Sequence, residues 1–150
     1  MSSYRLSVRA AGRAEMLIYG DIGSGWSDEG VTASRVAADL KAVGKVSTLD
    51  VRINSYGGDV FEGLAIYRQI VNFDASVNVF VDGVAASAAS IIAMAGNKIE
   101  IAQAGFLMIH DAWTFAAGNA DELRATAERL DATSEAMASI YSARTKKSST

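Results

Sequence analysis

Leu49-Asp50-Val51-Arg52-Ile53-Asn54-Ser55-Tyr56-Gly57-Gly58-Asp59-Val60-Phe61-Glu62 carries a strand, a turn and the start of a helix in one unbroken run. Leu49, Val51 and Ile53 alternate with Asp50, Arg52 and Asn54, the period of a half-buried strand. The strand runs directly into Gly57-Gly58. Asp59 followed three residues later by Glu62 resembles a capping box, and Val60, Leu64, Tyr67 and Val71 then share one helical stripe.

The same alternation continues on both sides. Upstream, residues 15–20 read as a short strand ending in the turn-rich stretch Asp21 to Gly30. Val36, Leu40 and Val43 then lie on one helical face, with Gly44 where a C-terminal glycine belongs. Downstream, Val77, Val79 and Val81 alternate into Asp82-Gly83, read as a turn, and Ala85 to Ala95 reads as a small-residue helix expected to be buried. Lys98 to Ala102 and Phe106 to His110 predict two further short strands. Asn119 with Glu122 caps a long helix bearing Leu123, Ala127, Leu130, Met137, Ile140 and Tyr141. Its acids lie near the start and Lys146-Lys147 at the end, as the helix dipole favours. Strands alternating with helices predict an α/β fold of layered strand-helix repeats with a long projecting C-terminal helix. A chain of 150 residues, half of them hydrophobic, is expected to form one domain over 1–150.

Composition removes several classes of function. A net charge of −3 with dispersed Lys and Arg gives no basic footprint for nucleic acid or an anionic membrane. The absence of cysteine excludes disulfides, thiolate metal sites and cysteine nucleophiles, and a single histidine argues against a transition-metal cluster. No apolar stretch approaches the ~20 residues of a membrane span, and the Arg5, Arg9 and Arg13 region lacks the layout of a secretory signal. A soluble, cytoplasmic protein without a cofactor is expected. Gly20, Gly23 and Gly25 lack both phosphate-loop orders, and Asp28-Glu29 and Asp121-Glu122 read as loop and capping charges.

What remains is oxygen and nitrogen chemistry. Without cysteine, serine is the commonest nucleophile, and it requires a base, an orienting acid and an anion hole. Ser87 follows a strand and opens a small-residue helix, where helix N–H groups favour negative charge, so the Ala88 amide is a candidate oxyanion donor. A Gly-Gly at a strand end supplies an unobstructed second amide. His110, the only histidine, ends the apolar run Phe106-Leu107-Met108-Ile109 and is the candidate base. The plainer reading makes Ser87 and Ser90 packing residues, Gly57-Gly58 a tight turn, and His110 a hydrogen-bonded strand residue.

At these residues the chain resembles the Clp protease proteolytic subunit family. That family's Asn-Ser-Pro-Gly-Gly and Gly-x-x-Ala-Ser motifs correspond to Asn54 to Gly58 and Gly83 to Ser87, and its histidine motif to Leu107 to His110. The resemblance selects Ser87 over Ser90, makes His110 the implied base, and makes Gly58 and Ala88 the implied oxyanion donors. It implies peptide-bond hydrolysis on protein or peptide substrates, homo-oligomeric stacked rings joined through the long helix, and an unfoldase ATPase as a possible partner. Gly57 to Tyr67, Ile109 to Trp113 and Gly118 to Leu123 look like the phage and prophage branch, similar to head maturation proteases that cleave capsid or scaffold proteins.

Two departures stand out. Tyr56 replaces the family's proline, a change to loop rigidity rather than chemistry. The family's catalytic aspartate lies beyond the long helix, past Thr150, so the chain reads as a shortened version with an unoriented histidine, a loss on the order of 10⁴ in turnover. Asp111 is a poor substitute, because adjacent strand residues point to opposite faces and its carboxylate would face away from the His110 ring. Two alternatives follow: a non-catalytic ring-forming or remnant subunit, and a crotonase-type acyl-CoA enzyme, which shares the fold but calls for carboxylates near the hole.

Overall fold

The computed structural model describes residues 4–10, 12–24 and 30–146. Gly25, Asp28, Glu29 and Lys147 lie outside the described residues. The chain divides into two compact units, Met1–Ile109 and His110–Thr150.

The first unit is built on a sheet of six strands among the described residues: β1 (Tyr4–Val8), β2 (Arg13–Tyr19), β3 (Thr48–Ser55), β4 (Ser76–Ala86), β5 (Lys98–Ile101) and β6 (Phe106–Met108). β1 pairs antiparallel with β2, and β2, β3, β4 and β5 follow in parallel order. β6 pairs with the C-terminal end of β4, through Val84 to Ala86, while β5 pairs with its earlier part. Helices α1 (Ala33–Val43), α2 (Val60–Val71) and α3 (Ala88–Ala93) complete the unit.

Alternation decides which sheet face is covered. Met16, Ile18, Leu49, Val51, Ile53, Val79 and Val81 are fully or almost fully buried and form one core with Val36 and Leu40 of α1 and Ile66 and Ile70 of α2. The other face is polar. Arg13 and Asn78 hydrogen-bond Asp50, and Arg52 and the Tyr19 hydroxyl both donate to Asp82. Partial burial works to raise the Asp50 carboxyl, but the bonds from Arg13 and Asn78 outweigh it and hold it below its ordinary value. The bond to Asp82 raises the Tyr19 hydroxyl in turn.

The strand and helix reading of the sequence holds for β2, α1, β3 and α2, with Gly44 as the α1 C-cap at φ 67°. Several expectations are corrected. β1 was not foreseen. Gly83 is not a turn: β4 runs straight through it to Ala86, and an added Cβ at Gly83 would lie 2.5 Å from Asn54 Oδ1. The third helix is shorter than Ala85 to Ala95, because Ala85 and Ala86 pair with Leu107 and Met108 instead. All six residues of α3 are buried, as expected of it. Glu62 does not close a capping box. Asp59 caps α2 by accepting from the Phe61 and Glu62 amides, while the Glu62 carboxylate accepts from the Ala33 N–H at the start of α1.

The second unit contains α4 (Ala120–Thr145). Here the capping box is complete: Asn119 accepts from the Glu122 N–H, and the Glu122 carboxylate accepts from the Asn119 N–H. Met137 and Tyr141 are buried and Leu123 is exposed. β6 ends at Met108, so His110 and Asp111 lie outside any strand and the alternation argument against Asp111 does not apply. Among the described residues, no helix is long and apolar enough to cross a membrane.

Candidate active site

Two neighbouring parallel strands, β3 and β4, end side by side, and the chain does something different at each end. After β3, Ser55 is buried and its Oγ accepts the Gly57 N–H at 3.1 Å, a serine turn that swings the backbone around. Gly57 has φ 98° and Gly58 φ 147°, values that exclude most side chains. Space excludes them as well. A Cβ on Gly57 would sit 2.8 Å from Ser87 Cβ and 3.0 Å from the Ala88 nitrogen; one on Gly58 would sit 2.1 Å from the Ile22 carbonyl oxygen.

After β4, the chain turns at Ser87 with φ 53° and ψ −127° and enters α3 at Ala88. Apart from the αL cap Lys146, Ser87 is the non-glycine residue with positive φ among the described residues. Such a conformation costs about 1–3 kcal/mol and persists only where the surroundings over-determine it. The surroundings do so here. The Ser87 N–H donates to the Met108 carbonyl at 3.0 Å, and its own carbonyl accepts from the Ser90 amide at 2.9 Å and the Ser90 hydroxyl at 2.6 Å. Ser87 as N-cap makes no side-chain capping bond, so its hydroxyl is not consumed in starting the helix.

This geometry separates the two serines. Ser90 is fully buried and its hydroxyl holds the elbow, whereas Ser87 is half-buried at the elbow itself. Ala88 supplies the first amide of α3, one of the N–H groups a helix cannot satisfy internally. Gly63 of α2 brings that helix against Ala88, with its own missing Cβ within 3.0 Å of the Ala88 Cβ. Ser87, Ala88, Gly57 and Gly58 are therefore gathered at one place in the first unit.

His110 opens the second unit, half-buried and outside regular structure. The segment after it is tied to α4 by the Ala112 N–H donating to Ser134 Oγ at 3.0 Å. Beyond that, the rings of Trp113 and Phe115 meet edge to face at 5.3 Å.

Three residues of the cluster were given no role by sequence reasoning, although Asn54 and Ser55 lie within the motif quoted for it. Ser55 could have been found, since a serine two residues before a glycine at a strand end is a turn signal. Asn54, whose Oδ1 accepts from the Val84 N–H at 3.2 Å, and Ile22, which bonds both sides of Gly58, act across the sheet and leave no local signature.

The comparisons with known proteins point to one family. A family model described as Clp protease matches residues 9–150. The chain is similar to the ATP-dependent Clp protease proteolytic subunit of Ligilactobacillus salivarius, 40% identical over 80 residues, 52% of this chain and 41% of that protein. It is also similar to the protein of that name from Bacteroides fragilis (strain ATCC 25285), 32% identical over 104 residues, 66% of this chain and 50% of that protein. The chain thus spans about half the length of the curated relatives it matches. With a match that runs from β2 through the glycine turn, the serine elbow and α4, the chain belongs to the Clp protease family.

Proposed function

We propose that this chain carries the catalytic machinery of a serine endopeptidase, with Ser87 as nucleophile, His110 as general base, and the Gly58 and Ala88 amides as oxyanion donors. The observation that carries the reading is the Ser87 elbow: a serine held at φ 53° against a glycine turn, with its hydroxyl unused by the helix it begins. Strain of that kind is retained where a side chain must be presented to a reaction. His110 as the base is supported by the family resemblance of Leu107 to His110.

In this mechanism His110 takes the Ser87 Oγ proton as the oxygen attacks the scissile carbonyl, and the two amides donate hydrogen bonds to the developing oxyanion. His110 then gives the proton to the leaving amine, and the C–N bond breaks to leave an acyl-serine. Water, deprotonated by the same histidine, releases the second product. The family's pattern places the orienting aspartate downstream of the long helix. Labelling with a fluorophosphonate probe tests the nucleophile: wild type is expected to label and Ser87→Ala not to. Equal labelling of both would remove Ser87 from the mechanism.

We further propose a phage or prophage setting with a capsid or scaffold protein as substrate, supported by the branch resemblance of Gly57 to Tyr67, Ile109 to Trp113 and Gly118 to Leu123. Incubation with purified prohead proteins and mass spectrometry of the products tests it; intact proheads after exposure to a labelled, active enzyme would refute it. Assembly into stacked rings through α4 belongs to the same proposal, and a monomeric mass by light scattering over a concentration series would count against it. Any ATP dependence is assigned to a separate unfoldase, because the Gly20, Gly23 and Gly25 cluster lacks the Gly-Lys-Ser/Thr ending.

A further inference from the structure

The turn that supplies the proposed Gly58 donor is fixed by a hydrogen bond outside the set of groups that touch substrate. A trans peptide carries its C=O and N–H on opposite sides of one plane, and the chain has no cis bond among the described residues. The Gly57 carbonyl accepts from the Ile22 N–H at 2.9 Å, so the Gly58 N–H of the same peptide points away from Ile22. The next peptide is fixed as well, by the Asp59 N–H donating to the Ile22 carbonyl at 2.9 Å. One torsional freedom is left upstream, at Gly57, a residue with no Cβ to restrict it. Ser55 removes it: its hydroxyl, on a residue 1% exposed, accepts the Gly57 N–H at 3.1 Å.

We infer that Ser55 is a positioning residue for oxyanion stabilisation, acting through the Gly57 amide to hold the Gly58 N–H in one direction. The inference rests on the proposed mechanism, in which the Gly58 amide is a donor. Ser55 touches no substrate, so its loss reduces transition-state stabilisation and leaves ground-state binding intact.

The test measures hydrolysis of a fluorogenic peptide by the intact protein, with rates expressed per site titrated by a fluorophosphonate. Ser55→Ala removes the acceptor, and Ser55→Cys replaces it with a weak one of similar size. Both are expected to lower kcat, the alanine variant by about 30-fold and the cysteine variant by less, with KM within about twofold of wild type. Affinity for a peptide boronate, which mimics the tetrahedral state, should fall in proportion to kcat/KM. A purely structural serine would instead lower the number of titrated sites and leave turnover per site unchanged. Per-site turnover within twofold of wild type in both variants overturns the inference, and so does failure of both to fold, which assigns Ser55 to the fold alone. Ser87→Ala run in parallel separates the two readings. If it still hydrolyses the peptide, or if wild type neither hydrolyses nor labels, the proposed mechanism fails and this inference with it; if it is inactive while the Ser55 variants turn over normally, only this inference fails.

Discussion

The ends of β3 and β4 lie side by side, and each needs a residue on the left-handed side of the backbone map. At the end of β3 glycines take it, Gly57 at φ 98° and Gly58 at φ 147°. At the end of β4 a serine takes it, at φ 53°. Glycine adopts such angles at no steric cost, whereas a residue with a Cβ gives up about 1–3 kcal/mol. The two ends thus solve one geometric problem with opposite chemistries. Under the proposed mechanism glycine stands where a backbone amide is called for and serine where a side chain is, so the strained choice falls on the proposed nucleophile.

The sharpest way to break this contrast is to remove the Ser87 hydroxyl. Because the family's position for the orienting aspartate falls beyond Thr150, Ser87→Ala in this chain is expected to lower kcat/KM on a fluorogenic peptide by about 10²-fold or more while the protein stays folded by circular dichroism. Retained turnover would place the reaction elsewhere and make the strain a mere packing defect. Gly58→Ala probes the other strand end. Its Cβ would lie 2.1 Å from the Ile22 carbonyl oxygen, backbone that cannot swing aside, at φ 147°. A loss of about 3 kcal/mol or more in urea unfolding is expected. A loss under about 1 kcal/mol would mean that the turn yields, and that glycine there is a convenience rather than a requirement.

Ser90 offers a smaller test, because it carries the same hydroxyl three residues on. Fully buried, it donates to the Ser87 carbonyl at 2.6 Å, while the Ser90 amide bonds the same oxygen at 2.9 Å. Ser90→Ala therefore removes one of that carbonyl's hydrogen bonds, and a stability loss of about 1.5 kcal/mol in denaturant unfolding is expected. Fluorophosphonate labelling should persist in this variant. Loss of labelling with the fold intact would bring Ser90 into the chemistry.

How much of this was legible in the sequence follows from the range of the interactions. The period-two pattern of Leu49, Val51 and Ile53 and the glycine cap at Gly44 are local signals, and both elements formed as read. Two identical Asx-x-x-Glu patterns then diverged. Asn119 and Glu122 close their capping box, whereas Glu62 leaves Asp59 to cap α2 alone because the Ala33 amide lies within its reach. Nothing near Asp59 in the chain encodes that neighbour. Gly83 misled in the same way: read as a turn, it is a strand residue beside the Asn54 side chain. Ala85 and Ala86, strong helix formers, are drawn into β4 by pairing with β6, a partner more than twenty residues downstream. The candidate site residues came from local residue chemistry and were selected by motif resemblance, but the feature that singles out Ser87 physically, its φ, is invisible to composition and periodicity.

The smallest effect isolates that feature. Ser87→Ala and Ser87→Gly both delete the hydroxyl, and both lose whatever it contacts, so those contributions cancel when the two variants are compared with each other. No helix-capping bond is at stake, since the Ser87 side chain makes none. What differs is the Cβ at φ 53°. Alanine keeps the strain, of order 1–2 kcal/mol for a left-handed residue, and glycine releases it. Against this, glycine lowers folded stability by roughly 0.5–1 kcal/mol through the greater freedom of its unfolded chain. The balance favours Ser87→Gly over Ser87→Ala by about 1 kcal/mol in thermal or urea unfolding. Equal stability, or a more stable alanine variant, would mean that the elbow is relaxed, and the contrast between the two strand ends would then rest on the hydroxyl alone. A more stable glycine variant without activity would show directly that folding stability is given up at this position to present a serine.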